Sequence, residues 1–210
     1  MTLVLKHYTK IRTMNCSVVS GDINKLVTVR FDDTDCKSVN LLKGDPVLLG
    51  IAGKNSELQI YGGRIIAFTD GNYLICSKEV KTDVLELRRK YFRHPVSLLA
   101  DVKVVGDHNW EDACIIDVSY SGMRICSEAN FNTGSIIEIN VFLSNNVSKF
   151  EAIIVRKAKT FSRFEYGTKI IKDKNDIFVI QKKIYNILRE EISLVYNPFV
   201  DYNVKCLSLK

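Results

Sequence analysis

Short, largely apolar β-type runs, cut off by Gly, Asn or Asp, fill most of this chain. In the first half they fall at residues 16–20, 26–31, 46–52, 58–67 and 73–77, and Asp70-Gly71-Asn72 between the last two is a hairpin-type turn signal. The second half adds runs at 97–105, 112–118, 123–126, 136–142, 150–157 and 164–171. Many short strands at regular spacing predict a mainly β protein built as two tandem small β-barrels. From Asp176 to about Tyr196 the period changes: Ile177, Ile180, Ile184, Ile187 and Leu188 recur three or four residues apart, with Lys182, Lys183, Arg189 and Glu190 elsewhere on the wheel. That pattern predicts a C-terminal amphipathic helix, read as a lid on the second barrel. The expected division is an N-terminal barrel over residues 1–85, a second domain with its helix over 86–195, and a tail over 196–210. The tail is β-like over 202–209, after Pro198, and its role is unassigned.

Composition adds bounds. Of 210 residues 46% are hydrophobic and 26% charged, which is ordinary for a globular protein and excludes disorder as the default. The formal net charge of +6 is spread along the chain. Residues 1–85 carry 11 basic and 9 acidic side chains (+2), and the remainder 19 and 15 (+4). So modest a charge does not suggest a broad nucleic-acid surface and suits a small anionic ligand better. The six cysteines, at 16, 36, 76, 114, 126 and 206, form no C-x-x-C pair, so no metal cofactor is expected. His7, His94 and His108 are scattered, and no Ser–His–Asp or Cys–His arrangement can be assembled, so the chain is not read as an enzyme. The apolar start at residues 1–5 is soon interrupted by Lys6, His7, Lys10 and Arg12. It is too short for an export signal, and no apolar run reaches the roughly 20 residues of a membrane-spanning helix. A cytoplasmic location is expected.

Two motifs carry the candidate chemistry. Arg89-Lys90-Tyr91-Phe92-Arg93 reads R-x-x-x-R, and Asp117-Val118-Ser119-Tyr120-Ser121-Gly122 reads D-x-S-x-x-G. Two guanidinium forks can grip phosphate oxygens bidentately or stack on a purine face. Asp117 and Ser119, two apart on a strand, share a face; a carboxylate there accepts from a guanine N1–H and amine, and a hydroxyl can donate or accept. Gly122 permits a tight turn or a close approach of ligand to backbone. Taken singly, each motif has a plain structural reading: arginines on a solvated segment, and Asp, Ser and Gly at a hairpin corner. Their order changes the balance, since the arginines precede one strand-like run and the acid motif closes the next.

Together the motifs resemble the nucleotide-binding signature of the PilZ domain. The doubled arginine Arg88-Arg89 is similar to the entry of flagellar-brake (YcgR-like) members with an N-terminal barrel, and Phe164-Glu165-Tyr166-Gly167 resembles the family's late glycine-bearing strand. The likeness is good over residues 86–195 and weaker over 1–85, where Lys43-Gly44-Asp45-Pro46-Val47 resembles a turn-then-strand phrase of the N-terminal barrel. It implies a receptor for cyclic di-GMP, bound by Arg88, Arg89, Arg93, Asp117, Ser119 and Gly122. It further implies output through a protein partner, the flagellar motor or other output machinery, after a change of interdomain orientation. The alternative from another class is a two-barrel RNA or single-stranded DNA-binding protein, its aromatic-basic run at 88–93 stacking bases.

Overall fold

The computed structural model describes residues 2–10, 12–32, 40–52, 58–78, 91–171 and 177–207. Twelve strands and one helix follow in order: β1 (Thr2–His7), β2 (Met14–Asp22), β3 (Leu26–Phe31), β4 (Pro46–Ala52), β5 (Leu58–Thr69), β6 (Asn72–Lys78), β7 (His94–Val104), β8 (Glu111–Ser119), β9 (Gly122–Ser127), β10 (Ile136–Phe142), β11 (Val147–Thr160), β12 (Arg163–Ile170) and α1 (Ile177–Leu207). The strands close into two six-stranded antiparallel barrels, ordered β1-β2-β3-β6-β5-β4 and β10-β11-β12-β9-β8-β7. Closure leaves no unpaired sheet edge. The chain divides into two compact units, one of residues Met1–Val80 with Arg189–Lys210 and one of Lys81–Leu188.

In the first unit, inward side chains of alternating positions fill the barrel: Leu3, Leu5, Val27, Val29, Leu49, Ile65 and Ile75 are all at most 1% exposed. Strand β1 was not expected. Its residues from Leu3 to His7 are all buried, so alternation is absent. Leu3 and Leu5 face the barrel interior, while Val4 joins Leu48, Val195 and Phe199 in a second cluster on the other side of the wall. Gly50 makes room for that cluster, because a Cβ there would lie 2.4 Å from Val195 Cγ1. Lys6 Nζ also meets Glu191 Oε2 of the helix at 2.8 Å, with both side chains at most 3% exposed.

In the second unit, Val102, Ile115, Val118, Met123, Ile125, Ile139, Val141, Ile154 and Tyr166 pack the barrel interior, and Ile180, Ile184 and Ile187 of the helix join the same core. Only the first part of α1, up to Leu188, is therefore the expected lid. Past residue 188 the helix belongs with the first unit, where Val195 and Phe199 are buried. The tail read as β-like over 202–209 is helical to Leu207, and the helix runs through Pro198. Burial of side chains on either side of the proline offsets the hydrogen bond its ring removes.

The buried Lys6–Glu191 pair yields a stability prediction. Glu191→Ala removes the carboxylate beside a buried ammonium and is expected to cost about 3–5 kcal/mol, whereas Lys6→Met with Glu191→Leu should sit much nearer the parent. Chemical denaturation of the three proteins checks the ordering; equal losses in the single and double variants would contradict it.

Candidate functional site

The corner between β8 and β9 is set by a two-residue turn. Ser119 pairs with Gly122, Val118 with Met123 and Asp117 with Arg124, and a register shift between Ile115 and Asp117 marks an irregularity just before it. Val118 and Met123 point inward and are fully buried. Ser119, 2% exposed, donates its hydroxyl to the Gly122 carbonyl at 3.0 Å, so its proton is engaged in the turn. Gly122 has a specific reason to lack a side chain: a Cβ there would lie 1.9 Å from the carbonyl oxygen of Thr168 on β12. The Thr168 hydroxyl ties the same strands, donating to the Met123 carbonyl at 3.1 Å and accepting its N–H at 3.3 Å.

Arg93 immediately precedes β7, whose register places Pro95 opposite Asp117. Its Nη1 donates to Asp117 Oδ1 at 2.9 Å. From the other side Arg124 Nε lies 2.7 Å from Asp117 Oδ2, an ion-pair contact rather than an aligned hydrogen bond. Arg124 Nη1 also lies 3.7 Å from Glu165 Oε2 on β12. The Asp117 side chain is 9% exposed, against 26% for Arg93 and 36% for Arg124. Aromatic rings flank the group: Tyr91 meets Tyr120 edge-on at 6.1 Å between centroids, and Phe92 meets His94 at 4.8 Å. Burial lowers the His94 pKa below its ordinary 6.5, so its imidazole is neutral at pH 7.

The structure thus brings Arg93, Asp117, Ser119 and Gly122 to one corner, while Arg88 and Arg89 lie outside the described residues. Glu165 was not expected as a member, and Arg124, which the sequence leaves open between ligand and solvent, was not counted among the site residues. The signal for Arg124 was available, because a two-residue turn closing at Ser119 and Gly122 puts 124 opposite 117. Chemically, the corner offers a buried carboxylate with spare lone pairs, a guanidinium half-open to solvent and stacking rings. Those groups suit a ligand that is anionic in one part and a hydrogen-bond donor in another. Among the described residues no group of three or more His, Cys, Asp or Glu is placed to hold a metal ion. No described helix is long and apolar enough to cross a membrane.

Residues 87–180 match the PilZ domain family. No curated protein sequence matches the chain. Among solved structures it is similar to the inhibitor of motility MotI/DgrA of Bacillus subtilis, at 16% identity and a TM-score of 0.39, over 90% of this chain and 95% of that one. It is also similar to YcgR of Escherichia coli in complex with c-di-GMP, at 13% identity and a TM-score of 0.40, over 90% and 84%. A third is the c-di-GMP complex of MrkH from K. pneumonia, at 9% identity and a TM-score of 0.41, over 90% and 87%. The functional reading rests on the family match and the corner geometry, not on these likenesses.

Two predictions follow from the corner itself. Gly122→Ala drives a methyl into the Thr168 carbonyl and should cost about 1–3 kcal/mol with no ligand present; an unchanged denaturation midpoint would refute the packing role. His94 has a lowered folded-state pKa, so its contribution to stability is present above about 6.5 and declines as pH falls through the lowered value. Melting temperatures between pH 7.5 and 5 should therefore fall less steeply in His94→Gln than in the parent.

Proposed function

We propose that the second barrel is a cyclic di-GMP receptor. Arg93, together with Arg88 and Arg89 of the preceding segment, would grip phosphate and stack on purine. Asp117 would accept from a guanine edge, Ser119 would add a small polar contact, and Gly122 would hold the hairpin that presents both. The observation that carries this reading is the convergence of Arg93 and Asp117 at 2.9 Å within the residues that match the PilZ domain. Two residues from motifs 24 positions apart meet at one half-open corner. On this reading the chain acts as a receptor and effector in the cytoplasm and not as an enzyme, with cyclic di-GMP as signal and not as cofactor.

Residues 86–195 form the receptor domain in this proposal, and 1–85 the barrel that relays its state. Binding changes the orientation of the domains, and the bound form signals by contact with a protein partner. A motility or surface-associated process is the output this family match favours. Ligand produces such a change only by binding one arrangement better than the other. Small-angle scattering with and without saturating ligand tests that part, and identical envelopes would remove it.

Binding itself is tested by calorimetric titration with cyclic di-GMP. A micromolar complex is worth about 8 kcal/mol in all. Losing an arginine that forks a phosphate costs on the order of 2–5 kcal/mol. Arg93→Ala should therefore bind at least tenfold more weakly than the parent, and undiminished affinity would make the motif decorative. If the parent gives no heat with cyclic di-GMP but a salt-dependent affinity for oligonucleotides, the RNA or single-stranded DNA reading takes its place.

A further inference from the structure

Asp117 holds one negative charge and has two arginines on it. Arg93 reaches Oδ1 at 2.9 Å and Arg124 reaches Oδ2 at 2.7 Å. The formal charges of Arg93, Arg124, Asp117 and Glu165 cancel, so this quartet presents no net positive charge to a dianion. For Arg93 to fork a phosphate it has to turn from the carboxylate. A carboxylate only 9% exposed cannot be left ionised without a counter-charge at its side. The two arginines are not equivalent in this respect. Arg124 comes from β9, in register opposite Asp117 within the closed barrel, with Glu165 of β12 beside it. Arg93 lies outside any strand, just before β7.

We propose that Arg124 is the standing counter-ion of Asp117, a positioning residue that keeps the acid charged and aimed while Arg93 is released to the ligand. The proposal rests on the cyclic di-GMP reading above and names a residue outside both motifs. In the free protein Arg93 is parked on Asp117 by its aligned hydrogen bond. On binding, that bond is exchanged for one to phosphate, and Arg124 alone holds the carboxylate. Without Arg124 the exchange strands a buried charge, so ligand has to compete with Asp117 for Arg93. Among the described residues, the charged and titratable groups around the acid are Arg93 before β7, His94 on β7, Arg124 on β9 and Glu165 on β12.

The test is calorimetric titration with cyclic di-GMP of the parent, Arg124→Met, Arg124→Lys, Asp117→Asn and the Arg124→Met, Asp117→Asn double variant. Arg124→Met should bind at least tenfold more weakly than the parent. Arg124→Lys keeps the charge and should stay within about threefold of the parent. In the Asp117→Asn background no charge needs holding, so adding Arg124→Met should cost less than threefold, a coupling that general loosening of the corner does not produce. Arg124→Gln replaces Arg124→Met if the latter melts below the assay temperature. Parent-like affinity in Arg124→Met, or an equal loss in both backgrounds, overturns the proposal while leaving the receptor reading intact. Absence of binding by the parent overturns the receptor reading, and the proposal with it.

Discussion

The tight hairpin between β8 and β9 is the constraint on which the site depends. Its two-residue turn fixes one register, and that register turns Val118 and Met123 into the core while Asp117 and Arg124 face each other on the outer surface. A one-residue slip would exchange the faces and put charge inside the barrel. Two contacts prevent the slip. Ser119 closes the turn onto the Gly122 carbonyl, and Gly122 lies so close beneath Thr168 of β12 that no side chain fits. Since β12 is hydrogen-bonded to β9 as β9 is to β8, the corner is held from three strands. A candidate site on such a scaffold has its acid positioned before any ligand arrives, and ordering cost is confined to what approaches it.

Much of this was legible in the sequence wherever one face of a strand is wet. β3 and β10 show their polarity pattern, and their expected bounds agree with the observed ones. β4 has no wet face, yet its bounds were also read correctly, because the Gly44-Asp45 turn signal sets off its apolar run. β1 was not legible, because both of its faces are buried and alternation carries no information there. The helix was legible where isoleucines recur at three and four residues and illegible past Pro198, where a proline and β-branched neighbours suggest a stop that tertiary burial of Phe199 overrides. At the corner, the residue types of the acid motif were readable but one reason was not. Gly122 answers to the Thr168 carbonyl on the neighbouring strand β12, a contact between positions 46 apart that no local pattern encodes.

Charge tells the same story on a smaller scale. Net charge along the chain is mild, and at the corner the described charges cancel in pairs. On the proposed reading, attraction for a dianion has to come from rearranging existing pairs, or from arginines outside the described residues, such as Arg88 and Arg89. Rearrangement costs little only when the group left behind keeps a partner, which is why two arginines on one buried acid differ from one. A lone Arg93–Asp117 pair would compete with the ligand for its own arginine. With Arg124 across the hairpin, the acid can lose Arg93 and remain a charged acceptor, so a half-open guanidinium and a fixed carboxylate can serve different parts of one ligand at once.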